Sequence, residues 1–276
     1  MPELPEVETV RAGLEAAIVG VRISAVRPRR EGLRIPFPPD LGQRLTGARI
    51  LSIGRRGKYL LIGSDRDDVL ILHLGMSGRV RLSAPPFDPP GRHDHLLIDF
   101  DDGQRLTLND ARRFGLVDLA CRTALAHHRL LAGLGPEPLG ADFDGEHLHE
   151  RLAVRRTPLK SALMDQRLIA GLGNIYVSEA LHRAGLAPYR RACDIGRRQA
   201  DSLVKAIRQV LAEAIAAGGS SLRDHRTVAG ELGYFQHSFR VYGRAGADCP
   251  TPGCGGRIEG LAQAGRSSFY CPLCQG

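Results

Sequence analysis

The sequence predicts an α+β protein with several domains, and three features of its pattern support this fold class. Apolar residues recur at helical spacing within residues 1–20. Short runs rich in Val, Ile and Leu, separated by Gly, Pro and Asp, then extend to about residue 119, which is typical of antiparallel strands. Helical spacing returns from residue 144 to about residue 217, before a short end rich in Gly and Cys.

The N-terminal element is predicted to be an amphipathic helix. Leu4, Val7, Leu14 and Ile18 share one helical face, and Gly20 marks the stop. The strand region that follows contains runs such as VLILHL and LLIDF, which predict an antiparallel β-sandwich or flattened barrel.

Gly and Pro in the stretch GLGPEPLG mark a linker before the helical domain. Residues 219–236 combine flexible and polar positions, so a mobile loop over a site is expected there. The last segment is too small to fold on apolar burial alone. The predicted divisions are the helix and β-sandwich at 1–132, a linker at 133–143, the helical domain at 144–236 and the cysteine module at 237–276.

The net charge of +8 is unevenly distributed along the 276 residues. Residues 1–150 hold 20 Arg and Lys against 21 Asp and Glu, whereas residues 151–248 hold 16 against 8. A basic segment of this kind indicates a polyanionic partner, most often nucleic acid, although a solvated basic surface has the same composition. Only Lys58, Lys160 and Lys205 are lysines among the 38 basic residues; Lys58 falls inside a motif described below, and Lys160 lies just before another.

No run of about 18 apolar residues is present, and the N-terminus is acidic, so neither a membrane span nor a signal peptide is expected. A cytoplasmic location is therefore predicted. Two of the six cysteines, Cys121 and Cys193, stand alone and are expected to be buried thiols.

The other four cysteines, Cys249, Cys254, Cys271 and Cys274, form two pairs near the C-terminus. In a reducing compartment this spacing predicts one structural zinc ion in a Cys₄ ribbon, and the alternative is two disulfides. Four sulfur ligands leave no open position on zinc, so the ion folds the module and does no chemistry.

The N-terminus is a candidate chemical site. Removal of Met1 exposes the secondary amine of Pro2, and the carboxylates of Glu3 and Glu6 follow. An α-amino group is partly unprotonated near neutral pH, and its attack on an aldehyde-like carbon gives a cationic iminium. The alternative is an ordinary helix start with acids in the first turn, which the residue types alone favour.

Six motifs occur in order along the chain: MPELPEVETV, GRRGKYLL, HLGMSGR, NDARRFG, MDQRLIAGLGNIYVSEAL, and VYGR with the cysteine ribbon. Together they closely resemble the bacterial formamidopyrimidine-DNA glycosylases over essentially the whole chain. This resemblance implies a helix-two-turns-helix motif in the helical domain and a zinc ribbon after it. It also implies excision of oxidised purines, such as 8-oxoguanine and formamidopyrimidines, from duplex DNA by a monomeric protein.

The resemblance implies that Pro2 forms a Schiff base with C1′ of the damaged nucleotide and that Glu3 supplies a proton. Glu6 would organise the site, and Lys58 would be a catalytic lysine near the sugar and its phosphates. The same intermediate would drive β- and δ-elimination, so that the enzyme is also a lyase at abasic sites.

The resemblance also implies residues that bind DNA. Met76 and Phe114 would fill the space left by the extruded base, and Arg112 would bond the orphaned cytosine. On spacing alone, Met76 and Phe114 would be core residues. The remaining implied DNA-binding residues are His93, Lys160, Asn174 and Arg266, although spacing alone fits a solvated Arg266 equally well.

The sequence departs from the family pattern at three points. Four residues separate Cys249 from Cys254 where two are usual, Ala111 replaces a common proline, and a retained Met1 would block the amine. Two other functions remain open: a sister enzyme specific for oxidised pyrimidines, and a noncatalytic zinc-ribbon protein that only binds DNA.

Overall fold

The structure is a computed structural model that describes residues 2–220, Val228 and residues 233–276. Contacts divide the chain into two compact units. The first contains residues 1–132 and 217–234, and the second contains residues 133–216 and 235–276. Most of the segment at 219–236, in which the sequence predicts a loop, lies outside the described residues.

The first unit begins with α1 (Leu4–Ile18), which ends before Gly20 in the left-handed region at φ +88°. Leu4, Val7, Leu14 and Ile18 are all buried, so the predicted helical face is the one that packs. Glu3 and Glu6 form a capping box that satisfies backbone donors at the helix start.

Two four-stranded antiparallel sheets follow α1, and both contribute with it to one apolar core, as a β-sandwich requires. One sheet has the order β1-β6-β7-β5, and the other has the order β2-β3-β4-β8. The elements are β1 (Ile23–Pro28), α2 (Leu41–Leu45), β2 (Ile50–Arg56), β3 (Tyr59–Ser64), β4 (Asp68–His73), β5 (Arg79–Ser83), β6 (Asp94–Phe100), β7 (Arg105–Asn109) and β8 (Leu116–Cys121).

The second unit is helical with a small hairpin at its end. Its helices are α3 (Gly145–Ala153), α4 (Leu159–Leu163), α5 (Asn174–Arg183) and α6 (Arg197–Ala216). Helix α6 packs against α3 and α5 through an apolar face. The C-terminal strands β9 (Glu259–Gln263) and β10 (Arg266–Tyr270) form an antiparallel hairpin. The α+β fold class is therefore confirmed, with its N-terminal helix and β-sandwich, its helical part and its C-terminal ribbon.

The expectation that both isolated cysteines are buried is wrong. Cys121 is exposed and Cys193 is partly exposed. Cys121 is the last residue of β8, where the strand leaves the sheet, and its thiol bonds the Asp67 carboxylate at 2.9 Å. Within the described residues, no helix is long and apolar enough to span a membrane.

Candidate active site

Pro2, Glu3 and Glu6 are all buried at the start of α1. Pro2 directly precedes the N-cap residue Glu3, and the Glu3 N–H donates to Glu6 Oε2 at 2.8 Å. The N-terminal end of a helix carries partial positive charge, which disfavours an ammonium group beside it. The chain therefore presents the predicted nucleophile and both predicted acids in one buried segment.

The other oxygen of Glu6 holds a distant segment. Glu6 Oε1 accepts hydrogen bonds from the Ser220 backbone N–H at 2.8 Å and from the Ser220 hydroxyl at 2.9 Å. Gly219 has φ +79°, and a Cβ there would lie 3.1 Å from Glu6 Oε1, so a side chain would crowd the carboxylate. Glu6 thus fixes residues 219 and 220 against the start of α1.

Residues 217–220 are paired with residues 233 and 234. The Tyr234 N–H donates to the Ala217 carbonyl at 3.0 Å, and Ser220 and Tyr234 form an isolated bridge. A Cβ on Gly233 would lie 2.3 Å from the Gly219 carbonyl oxygen. The backbones approach too closely for any residue larger than glycine, so this pairing needs the glycines.

Lys58 lies in the two-residue turn between β2 and β3 and is buried. The same hairpin is attached to α1 by Arg55, whose Nε donates to Glu8 Oε2 at 2.8 Å, while Arg11 bonds the other Glu8 oxygen at 2.6 Å. Burial raises the pKa of Glu8, but the hydrogen bonds from Arg55 and Arg11 outweigh it and hold that pKa below its usual value. The Glu8 ion pair, which sequence reasoning missed, therefore connects the Lys58 hairpin to the helix that follows Pro2.

Met76, Arg112 and Phe114 lie on two adjacent loops of the first unit. Met76 is 39% exposed and Phe114 is 45% exposed, so neither is a core residue. The Arg112 guanidinium stacks over the Phe114 ring at 5.0 Å. A Cβ on Gly75 would lie 2.3 Å from the Phe114 carbonyl carbon, so glycine lets the two loops touch.

A buried network that the sequence did not single out joins these loops. Asp110 accepts from the Ser77 hydroxyl at 2.6 Å and from the Gly115 N–H at 2.8 Å, and Ser77 Oγ accepts from the Arg112 N–H at 3.1 Å. Asp110 is completely buried. Ser77 lies in the motif HLGMSGR and Asp110 in the motif NDARRFG. The family resemblance assigns roles only to their neighbours Met76, Arg112 and Phe114.

His73 and His95 support the same loops. His73 Nδ1 accepts from the Gly75 N–H at 2.9 Å, and burial with the nearby Lys58 charge lowers the pKa of His73 to about 4. His95 Nε2 bonds the Asp110 carbonyl at 2.9 Å. The predicted DNA-binding residue His93 is partly exposed, and its ring lies 6.3 Å from the ring of His95.

In the second unit, Lys160 and Asn174 converge on one backbone carbonyl. Lys160 Nζ donates to Ser267 O and Ser268 Oγ, both at 2.8 Å, and Asn174 Nδ2 donates to Ser267 O at 3.1 Å. Arg266, the preceding residue, is exposed. Lys160 and Arg266 both line a cavity of about 200 Å³. The three predicted phosphate-binding residues are thus neighbours, although Lys160 is itself buried and bonded to β10.

Glu179 on α5 is a further buried acid that sequence reasoning missed. Its carboxylate accepts backbone N–H bonds from Arg240, Val241 and Tyr242 at 2.9 to 3.0 Å. These three residues lie in the VYGR motif or directly before it. Glu179 therefore fixes the chain that leads into the ribbon.

The four C-terminal cysteines fit a zinc ion. Their sulfur atoms all lie within 4.8 Å of one another, and the Cys249–Cys274 and Cys254–Cys271 sulfur distances are 3.8 and 3.5 Å. Zinc–sulfur bonds of about 2.3 Å in a tetrahedron place the sulfur atoms about 3.8 Å apart. The longer first turn therefore still brings all four sulfur atoms close enough to share one ion.

The protonation of the cysteines points to the same ion. Burial opposes the Cys249 thiolate, but hydrogen bonds from His182 and Thr251 lower the pKa of Cys249 to about 6. Burial and the neighbouring sulfurs raise the pKa of Cys274 to about 12. A cation bound between the sulfur atoms would offset the repulsion between neighbouring thiolates.

Three family models match the chain. They are the formamidopyrimidine-DNA glycosylase N-terminal domain at residues 1–117, the formamidopyrimidine-DNA glycosylase H2TH domain at 134–226, and the zinc finger found in FPG and IleRS at 249–276. Proteins named formamidopyrimidine-DNA glycosylase from Cereibacter sphaeroides, Paracoccus denitrificans and Caulobacter vibrioides are 57%, 56% and 50% identical to it. Each of these alignments covers 100% of both chains.

Solved structures give the same result. The Lactococcus lactis Fpg protein in complex with DNA that contains an abasic site has a TM-score of 0.91 at 37% identity and 99% coverage of both chains. A MutM protein in complex with DNA that contains carbocyclic 8-oxo-G has a TM-score of 0.91 at 38% identity and the same coverage. The chain belongs to the formamidopyrimidine-DNA glycosylase family.

Proposed function

We propose that this chain excises oxidised purines from duplex DNA through a Schiff base on Pro2 and then cleaves the abasic site. The observation that carries the proposal is the buried start of α1, where Pro2 precedes Glu3 and Glu6 in a chain of this family. The names and ligands of its relatives, which include 8-oxo-G and Fapy-dG in DNA, support oxidised purines as the substrate class.

The nitrogen of Pro2 forms a bond to C1′ as the bond from C1′ to the damaged base breaks, and the departing base gains the proton that the Pro2 nitrogen loses. Glu3 donates a proton as the sugar ring opens, and the nitrogen lone pair completes the iminium. Loss of a proton from C2′ then expels the 3′ phosphate, and a second elimination expels the 5′ phosphate. Water finally releases the sugar fragment and restores the Pro2 amine.

Glu6 and Lys58 take supporting roles in this proposal. Both Glu6 oxygens accept hydrogen bonds, from Glu3 on one side and from Ser220 on the other, which suits a residue that orients the site. The ammonium of Lys58 supplies positive charge for the sugar phosphates, in a hairpin attached to α1 through Glu8.

Extrusion of a base costs a few kcal/mol, which side chains that enter the stack offset. The exposed Met76 and Phe114 have the shape for this role, and Arg112 has the donors for the orphaned cytosine. We assign His93 to the adjacent DNA backbone. Replacement of Arg112 by Ala should reduce discrimination between opposite bases by about 1 to 3 kcal/mol, measured as the ratio of excision rates opposite cytosine and adenine.

Lys160, Asn174 and Arg266 bind the DNA backbone in this proposal. Their convergence around Ser267 O and the basic charge of residues 151–248 support this assignment. One structural zinc ion, held by the four cysteines, folds the ribbon that contains Arg266. We further propose that the protein acts as a monomer at the bacterial nucleoid in the cytoplasm.

Borohydride trapping tests the function directly. Protein whose mass shows that Met1 is absent is mixed with an 8-oxoguanine:cytosine duplex and borohydride, which reduces the iminium to a stable protein–DNA adduct. A Glu3→Gln variant should lose excision of the base but still be trapped on a preformed abasic site. A wild-type protein that forms no adduct would support a noncatalytic DNA-binding role, and faster excision of thymine glycol would support the oxidised-pyrimidine alternative.

A further inference from the structure

His182 on α5 lies against the zinc-binding sulfur atoms, although no motif assigned it a role. Its side chain is buried, with 4% exposure. Nε2 lies 3.5 Å from Cys249 Sγ and 3.8 Å from Cys274 Sγ. These distances are those of hydrogen bonds to sulfur, which is a larger acceptor than oxygen.

The surroundings of the ring identify the atom that carries the proton. Nδ1 is buried and has no hydrogen-bond partner within the described part of the chain. An unpaired buried N–H is less favourable than an unpaired acceptor, so the neutral ring should carry its proton on Nε2. That N–H points at sulfur atoms which become thiolates when zinc binds.

The unusual length of the first cysteine turn contributes to the same place. Four residues separate Cys249 from Cys254, and one of them is Thr251. Its hydroxyl lies 3.4 Å from His182 Nε2 and 3.9 Å from Cys274 Sγ. The first cysteine turn therefore places a second polar group beside the Cys249–Cys274 sulfur pair.

The four cysteines already supply the four ligands of a structural zinc site. His182 is therefore placed to act on the ligands and not on the metal. A hydrogen bond to a zinc-bound thiolate disperses its charge and fixes its orientation. We propose that His182 donates a hydrogen bond from Nε2 to the zinc-bound thiolates of Cys249 and Cys274 and thereby joins the zinc site to α5.

The same helix begins at Asn174 and contains Glu179, which bonds the backbone before the ribbon. Asn174 in turn bonds Ser267 O on β10. His182 adds a third connection, at the opposite end of α5. Zinc binding is therefore coupled, through one rigid helix, to the position of Asn174, which we assign to the DNA backbone.

The test compares two substitutions of His182. His182→Phe keeps a ring of similar shape without a donor, whereas His182→Gln keeps a terminal N–H. Competition with a chromogenic chelator should show zinc affinity lowered by about 10- to 100-fold in His182→Phe and substantially restored in His182→Gln. His149→Phe is the control, because His149 bonds the Ile195 carbonyl in the same unit and, within the described residues, has no hydrogen bond to any of the four zinc-binding cysteines.

Cobalt substitution separates a hydrogen bond from simple packing. The sulfur-to-cobalt charge-transfer band should shift in His182→Phe and return toward the wild-type position in His182→Gln. Unchanged zinc affinity and an unshifted band in His182→Phe would overturn the proposal. Equal loss of affinity in both variants with an unshifted band would also overturn it, because packing would then be the cause.

A measurement on the wild-type protein avoids any variant that fails to fold. In protein loaded with cadmium-113, a hydrogen bond to a bound thiolate should transmit scalar coupling from the His182 Nε2 proton to the metal. An observed Nε2 proton without coupling would refute the hydrogen bond. Large coupling of Nε2 itself to the metal would instead make His182 a ligand and equally refute it.

Discussion

Acidification should destabilise the first unit through His73. Burial and the charge of Lys58 lower the pKa of His73 to about 4, against 6.5 for an unperturbed histidine. The folded chain therefore binds fewer protons than the unfolded chain in this range, so the free energy of unfolding falls as the pH falls from about 6.5 to about 4. With these two values, the loss between about pH 7 and about pH 5 is about 2 kcal/mol.

The variant His73→Asn isolates this contribution. Its Oδ1 can take the position of Nδ1 and accept from the Gly75 N–H, but it does not titrate. Urea unfolding followed by circular dichroism suits a chain without tryptophan. The wild type should lose about 2 kcal/mol more than His73→Asn between the two pH values.

The exposed His127 provides the control, since His127→Asn should keep the wild-type pH dependence. Other titrating groups, such as His95, remain in both proteins and cancel in the comparison. A difference below about 0.5 kcal/mol, or a loss of stability on raising the pH, would refute the reasoning. The functional consequence concerns Gly75 and Met76, because protonated Nδ1 can no longer accept the bond that fixes their turn.

Three further predictions concern bonds that join distant segments. Glu6→Gln should lower the single-turnover excision rate about tenfold, because the amide nitrogen cannot replace the carboxylate oxygen that accepts a hydrogen bond from Glu3 or from Ser220. The control Glu15→Gln, at an exposed position, should keep the wild-type rate. Equal rates in Glu6→Gln and the wild type would show that Glu6 does not contribute to excision. Ser77→Ala should destabilise the protein by about 2 kcal/mol in urea unfolding and reduce opposite-base discrimination, and a loss of stability without any change in discrimination would contradict the link to Arg112. Lys160→Ala should weaken DNA binding and lower the magnitude of the slope of log K against log salt concentration by about 1, and Lys205→Ala, at an exposed position, is the control. An unchanged slope would mean that Lys160 only supports β10 and does not contact a phosphate.

Local patterns predicted the elements of the fold. The spacing of Leu4, Val7, Leu14 and Ile18 predicted the face that α1 buries, and Gly20 ends the helix in the left-handed region. The cysteine spacing predicted the sulfur cluster for the same reason, because ligand pairs on tight turns are close in sequence. Where the relevant partners lie within one helix or one turn, periodicity and spacing record them.

Tertiary hydrogen bonds leave no such record. Ser220 is 214 residues from Glu6, and Ser267 is 107 residues from Lys160, so no sequence window contains either pair. The prediction that the isolated cysteines are buried failed for a related reason. The preference of free Cys for the interior does not indicate where a strand ends, and Cys121 lies at the end of β8. These features depend on the three-dimensional course of the chain.

Three buried acids share one physical role, which changes how the motif acids should be interpreted. Glu6 and Glu179 each accept backbone N–H bonds from a distant segment, whereas Asp110 accepts the Gly115 N–H of its own loop and the Ser77 hydroxyl of the adjacent loop. A buried carboxylate is costly unless its oxygens are hydrogen-bonded, and N–H donors from the loop meet that need while they fix the loop. Each therefore supports a segment that contains a proposed site residue or leads to one. Neutral replacement of these acids should act first on loop position, whereas Glu3, which directly follows Pro2, is the acid to which we assign proton transfer.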